Sequence, residues 1–157
     1  MSHLRQPVII GFYGYSQSGK TTLISTIIYN LKKKGISIGV VKITDKPISS
    51  EPDNKDTQLF RQSGANITAF SSSIETGFVL DHSMSIQDVL KSIPYLSEVD
   101  IVIIEGAHSE SVPKIRIGDI PLRPNTLFTF SGNIEEIEKT ILEKLKIIEG
   151  NLNEDYD

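Results

Sequence analysis

The sequence predicts an α/β fold, a mostly parallel and doubly wound sheet flanked by helices, and three observations carry that expectation. Strand-like and helix-like segments alternate along the chain. Several strands are apolar throughout rather than at every second position, as strands buried on both faces of a helix-covered parallel sheet are. One strand-to-helix junction reads Gly14-Tyr15-Ser16-Gln17-Ser18-Gly19-Lys20-Thr21. That run fits G-x-x-x-x-G-K-[ST], the phosphate-binding P-loop, at every fixed position, so the fold expected is that of a P-loop NTPase.

Each element has its own signal. Val8 to Tyr13 is an apolar run and reads as a buried strand. Thr21 to Lys34 reads as a helix because Leu23, Ile24, Ile27, Ile28 and Leu31 recur at helical spacing. Gly35 stops it, and Ile36 to Ile43, rich in Val and Ile, reads as the second strand. Thr44 to Asn54 is polar, carries Pro47 and Pro52, and reads as a long loop. Lys55 to Ser63 is expected to be a short helix with Leu59 and Phe60 inward, ended by Gly64. Ile67 to Ser71 and Gly77 to Leu80 read as short strands joined through a serine run. These two are open to antiparallel pairing or to forming a short extension at one edge of the sheet.

Ser85-Ile86-Gln87-Asp88 has the form of a capping box, starting a helix to about Leu96. Asp100 to Ile104 is an almost purely apolar strand that ends in Glu105-Gly106. Lys114 to Ile117 and Thr126 to Phe130 are further candidate strands. Asn133, with Glu136 three residues on, starts the last helix, whose Ile134, Ile137, Ile141, Leu142, Leu145 and Ile148 form one apolar stripe. The organisation expected is a single nucleotide-binding domain over residues 1–150 and an acidic, frayed tail over 151–157.

Composition narrows the function classes. The net charge is −4, so no basic surface advertises nucleic acid as a partner. There are no cysteines, which rules out disulfides, thiolate metal sites and a cysteine nucleophile in this chain. No apolar run approaches the roughly 20 residues that span a bilayer, and no signal-peptide pattern opens the sequence. A cytoplasmic location is the expectation.

The chemistry centres on the glycine loop. Gly14 and Gly19 let the backbone wrap a phosphate, with Ser16, Gln17, Ser18 and Thr22 completing the cradle at the helix start. Lys20 is expected on the β- and γ-phosphates, and Thr21 on Mg²⁺. A P-loop also needs an acid for the metal, usually at the end of a buried strand, and Glu105 stands there. Asp56 has two open readings, a second metal carboxylate or a first-turn acid satisfying the helix dipole. Lys42, at the end of the second strand, is open to contact with a phosphate or a second anionic ligand, or to being a solvated strand end. Asn54-Lys55-Asp56 falls one residue short of the guanine-reading N-K-x-D pattern, so the residues do not decide between GTP and ATP. Three scattered histidines give no metal-spaced pair and no hydrolase order.

Taken together these segments resemble the molybdopterin-guanine dinucleotide biosynthesis protein B (MobB) family of P-loop GTP-binding proteins. The resemblance rests on the opening strand and Gly14-to-Thr22 loop, and on Gly35 to Lys42 as the second strand with its lysine. It continues through Asn54-Lys55-Asp56-Thr57, with Phe60-Arg61-Gln62-Ser63-Gly64-Ala65 after it, and through Asp100 to Gly106 followed by Pro113-Lys114-Ile115. The resemblance implies GTP with Mg²⁺, a metal site of Thr21, Asp56 and Glu105, a homodimer, and slow intrinsic GTP hydrolysis. It also implies an accessory role toward the partner enzyme that joins GMP to molybdopterin, in molybdenum or tungsten cofactor maturation, with molybdopterin itself a candidate ligand. The chain departs from the family pattern at Ile43-Thr44-Asp45-Lys46, where many members carry histidines, and at Ala107-His108. The rival expectations are a small-molecule kinase or ATP-dependent ligase similar to dethiobiotin synthetase, and a non-catalytic module whose loops are ordered by the triphosphate.

Overall fold

A computed structural model describes the backbone of residues 5–48 and 55–154, and the side chains of 5–48 and 56–147. The chain folds as two compact units, Met1–Thr44 with Val89–Asp157, and Asp45–Asp88. The sequence reading of one domain over 1–150 did not separate the second unit.

The larger unit is built on a five-stranded sheet. Its strands are β1 (Val8–Gly14), β2 (Ile38–Lys42), β5 (Ile101–Glu105), β6 (Lys114–Ile117) and β7 (Thr126–Thr129), in the order β2-β5-β1-β6-β7. Every pairing in it is parallel. The helices are α1 (Lys20–Lys33), α3 (Ile86–Leu96), which begins in the last residues of the other unit, and α4 (Ile134–Glu154). Val8, Ile10 and Phe12 of β1, Ile101 and Ile103 of β5, and Ile115 and Ile117 of β6 share a buried cluster with the apolar stripes of α1 and α4. The opposite face is closed as well, because Val102 and Ile104 are fully buried. Each such side chain contributes about 1.5–3 kcal/mol on removal from water. This accounts for strands that are apolar at every position.

Two polar clasps hold the layers. Asp100, immediately before β5, accepts hydrogen bonds from Ser37 N (2.8 Å), Ser37 Oγ (2.7 Å) and Arg5 (3.0 Å). The Ser37 amide, then its hydroxyl and the Arg5 charge hold the Asp100 carboxyl below the usual range. Between α1 and α4, buried Glu138 accepts from Asn30 (2.6 Å) and Lys34 (2.7 Å). Burial pushes that carboxyl up, but the two donors and the Lys34 charge bring it below its ordinary value. The α4 start is as expected, with Asn133 Oδ1 accepting the Glu135 amide (3.0 Å). The helix continues through Glu154, past residue 151 where the tail was expected to begin; residues 155–157 lie outside those described.

The smaller unit contains α2 (Lys55–Gln62) and a hairpin of β3 (Ile67–Ser71) and β4 (Thr76–Leu80). The two strands pair antiparallel, as a two-stranded sheet of their own. Ser85 caps the following helix, accepting the Asp88 amide (3.1 Å) and donating to the Asp88 carboxylate (2.6 Å). One expectation fails here. Leu59 and Phe60 are each 57% exposed rather than inward. An eight-residue helix beside two strands has too little apolar surface to cover both side chains. Most of the long loop before α2, residues 49–54, lies outside the described residues.

Candidate functional site

β1 delivers the glycine loop to the carboxyl end of the sheet, where open α/β folds bind ligands. Gly14 pairs with Ile117 of β6, and a Cβ on Gly14 would lie 2.7 Å from the Ile117 carbonyl oxygen. Only glycine fits that approach. The loop then turns through two left-handed residues, Gln17 at φ 60° and Gly19 at φ 82°, the second serving as the N-cap of α1. Gln17 adopts, without the freedom of glycine, a conformation that costs most residues roughly 1–2 kcal/mol. The first turn of α1 contains no acid, so its amides and dipole are left available to an anion.

Lys20 arches over this loop. Its Nζ donates to the carbonyls of Gly14 (3.0 Å) and Tyr15, with Ser18 Oγ at 3.4 Å. Thr21 Oγ1 donates to Glu105 Oε1 at 3.0 Å. Register explains that contact. Phe12, Glu105 and Lys42 are cross-strand partners, so they share the face on which α1 packs. Glu105 is the last residue of β5, just past the buried run, and its oxygen emerges beside the helix start. A hydroxyl and a carboxylate together are the hard oxygen donors that Mg²⁺ takes, with waters completing its octahedron. Among the described residues no group of three or more His, Cys, Asp or Glu gathers as a metal cage.

Gly14, Ser16, Gln17, Ser18, Gly19, Lys20, Thr21 and Thr22 thus form one continuous loop and helix start, with Glu105 against Thr21 and Lys42 level with Glu105 on the next strand. Asp56 belongs to the other unit, at the second position of α2, where it is exposed. His108 is exposed in the loop after β5.

Sequence reasoning missed a polar network behind the loop. Tyr13, 1% exposed, has its hydroxyl 2.7 Å from Thr126 Oγ1 and accepts the Arg123 amide (3.2 Å). The Arg123 guanidinium lies 4.8 Å over the Tyr13 ring and donates to the Ala107 carbonyl (2.8 Å). Lys114 is fully buried and donates to the Pro124 carbonyl (2.6 Å). Desolvation pulls its pKa down, with Arg123 acting in the same sense and Tyr13 and Glu110 opposing. The one available signal was a lysine at the head of an apolar β6.

A buried parallel strand running into this glycine loop and helix, with the acid-tipped strand beside it, defines a P-loop NTPase fold. Within that class the chain belongs to the family of molybdopterin guanine dinucleotide synthesis protein B (MobB), whose sequence profile matches residues 9–134. It is 31% identical, over 92% of its length, to a Methanocaldococcus jannaschii protein provisionally named a molybdopterin-guanine dinucleotide biosynthesis adapter protein. It is 29% identical, over 68% of its length, to the adapter protein of that name from Escherichia coli. The chain spans just under two thirds of these relatives, 65% and 63% of their lengths. A crystal structure of molybdopterin-guanine biosynthesis protein B superposes with a TM-score of 0.61 at 22% identity, covering 88% of this chain and 99% of that one. That likeness shows the shared fold. No helix among the described residues is long and apolar enough to cross a membrane.

Proposed function

We propose that this protein binds GTP with Mg²⁺ at the Gly14–Thr22 loop and serves as a nucleotide-dependent adapter in molybdopterin guanine dinucleotide biosynthesis. In this reading it supports the partner enzyme that joins GMP to molybdopterin. The observation that carries the nucleotide reading is the Thr21–Glu105 contact at 3.0 Å beside the phosphate loop. It brings together the two oxygen donors a Mg²⁺-triphosphate needs, at the start of a helix whose first turn holds no acid. The adapter role is taken from the names of the relatives. Asp56 enters as a further metal carboxylate on the family resemblance alone. Lys42, level with Glu105, is proposed to meet a second anionic ligand, with molybdopterin the candidate.

Hydrolysis is proposed to be slow. Fast phosphoryl transfer draws on extra positive charge at the γ-phosphate, often an arginine. In the larger unit Arg5 holds Asp100, Arg116 donates to the Ile120 carbonyl (2.5 Å), and Arg123 is committed to Tyr13 and Ala107. A cytoplasmic homodimer completes the reading. Support for the dimer is the hairpin face on which Ile67, Phe78 and Leu80 are 55%, 53% and 37% exposed. Register sets Ile67 opposite Leu80 and Ala69 opposite Phe78 on that one face.

Calorimetry with GTP and ATP, with and without Mg²⁺ and the GMP-transferring enzyme, tests the proposal. Preferential Mg²⁺-dependent GTP binding, together with faster guanylation of molybdopterin when the protein is present, is the expected result. Rapid, acceptor-dependent release of diphosphate from ATP would favour a kinase instead, and no nucleotide binding would refute the reading.

A further inference from the structure

Arg123, between β6 and β7, has a backbone pinned on both sides. Its amide donates to the Tyr13 hydroxyl (3.2 Å), and its carbonyl accepts from Thr126 Oγ1 (2.6 Å). The Tyr13 and Thr126 oxygens lie 2.7 Å apart. A hydroxyl has one proton to give. Thr126 gives its own to the Arg123 carbonyl, so Tyr13 donates to Thr126, and the three residues close a directed ring of hydrogen bonds. Bonds linked in this way polarise and strengthen one another. The next carbonyl, Pro124 O, is held at 2.6 Å by Lys114 Nζ, from a fully buried lysine. Taking that ammonium out of water is costly, and what it fixes is the stretch of chain that carries Arg123.

The guanidinium so aimed touches the ends of two different strands. It lies 4.8 Å over the ring of Tyr13, the residue immediately before Gly14 of the glycine loop. It also donates to the Ala107 carbonyl (2.8 Å), two residues beyond Glu105. A planar, permanently charged fork can stack and donate at once. The turn it grips is tightly built. Gly106 is left-handed at φ 84°, and a Cβ there would lie 2.7 Å from the Ile43 carbonyl oxygen. The Gly106 and Ala107 amides both donate to the Phe12 carbonyl (2.9 and 3.2 Å). Ala107 is 1% exposed and presses so closely on β1 that a Cβ on Gly11 would come within 2.4 Å of its own. Gly11 and Tyr13 alternate with Phe12 and so face away from α1. The acid-tipped strand and the glycine loop are therefore joined on both faces of the sheet. Thr21 and Glu105 meet at 3.0 Å on the α1 face, and Arg123 bridges Tyr13 and Ala107 on the other.

We infer that Arg123 is a positioning residue, which holds the Glu105–Ala107 turn against the glycine loop and so keeps Glu105 within reach of Thr21. Its consequence for a ligand rests on the nucleotide-binding reading above, whereas the brace itself is measurable without one. Amide hydrogen exchange on the full chain reads the turn directly. Arg123→Met, which loses the charge and the donors, should speed exchange at Gly106 and Ala107 roughly tenfold. The Asp100 amide, bonded to the Ser37 carbonyl at the other end of β5, should exchange as in wild type. Arg123→Lys keeps a cation and a donor and should restore most of the protection. The second arm is calorimetry with inorganic tripolyphosphate, with and without Mg²⁺. Arg123→Met should cut the Mg²⁺-dependent gain in affinity roughly fivefold when Glu105 is intact. In a Glu105→Gln background it should cut nothing further, because the acid it positions is gone. A role confined to stability would speed exchange at Asp100 as well, or lower the gain alike in both backgrounds. Either result overturns the inference, as does unchanged exchange at Gly106 and Ala107, or a lysine variant no better protected than the methionine one. Wild type that binds no tripolyphosphate overturns the phosphate-loop reading instead, and the exchange arm still decides whether Arg123 holds the turn.

Discussion

β5 and the β3–β4 hairpin are both written in apolar residues, yet they end in opposite environments. Ile101 through Ile104 are fully buried, whereas Ile67, Phe78 and Leu80 of the hairpin stand exposed. The difference lies in the number of neighbours. β5 sits between β2 and β1 in a five-stranded parallel sheet, so both of its edges and both of its faces are covered. Two strands alone leave two open edges and, with one short helix to pack on them, an open face. Apolar residues in a central strand build stability, and the same residues on a small hairpin build a surface. The larger unit carries the glycine loop on a buried sheet, and the smaller unit presents Ile67, Phe78 and Leu80 outward.

The largest effect expected from this comparison is in the core. Ile103→Ala should cost about 2–5 kcal/mol in urea unfolding. Phe78→Ala should stay within about 0.5 kcal/mol at protein concentrations low enough to keep the chain monomeric. Equal costs would break the comparison. A sharper version sets an acid of one unit against an acid of the other. Glu105→Gln should weaken Mg²⁺-dependent GTP binding while leaving metal-free binding nearly untouched, by loss of a metal ligand. Asp56→Asn should do the same if the family resemblance holds for that residue, and no change would reduce Asp56 to a helix-start residue.

Acid should loosen the larger unit. The folded-state pKa values of Asp100 and Glu138 lie below their ordinary 3.8 and 4.5. The stability they add is fully present above those ordinary values and is lost as pH falls through them toward the lowered folded values. Thermal melts from pH 6 downward should therefore drop below about pH 4.5, and Glu138→Gln should flatten part of that fall. The smallest effect concerns strain. Gln17→Gly removes a left-handed non-glycine residue at φ 60° but loosens the unfolded chain, for a net gain of about 1 kcal/mol or less. Its melting temperature should rise slightly.

Much of this was legible in the residues. The alternation of elements, the apolar β1 and β5, the capping box at Ser85 and the motif at Gly14 all follow from local chemistry. The place of Glu105 at the end of β5 was legible because a buried strand ending in an acid is a pattern within a single segment. Three things were hidden, each for a physical reason. The inward expectation for Leu59 and Phe60 assumed a surface large enough to receive them. The left-handed turn at Gln17 carries no glycine to mark it. The Tyr13, Lys114, Arg123 and Thr126 network joins β1, β6 and β7 across 113 positions of chain, and no spacing in the sequence encodes such a contact.

The central claim is that the Gly14–Thr22 loop of the larger unit holds the phosphates of a Mg²⁺-bound GTP, with Lys20 trading its loop carbonyls for phosphate oxygens. Titration calorimetry of Mg²⁺-GTP into wild type and Lys20→Ala tests this most directly. Lys20 is a half-buried residue with its ammonium on the loop rather than in the core, so the variant should melt as wild type does. The account predicts that it loses about 1.5–3 kcal/mol of binding free energy, roughly ten- to a hundredfold in affinity. A folded Lys20→Ala protein that binds Mg²⁺-GTP as tightly as wild type would contradict it.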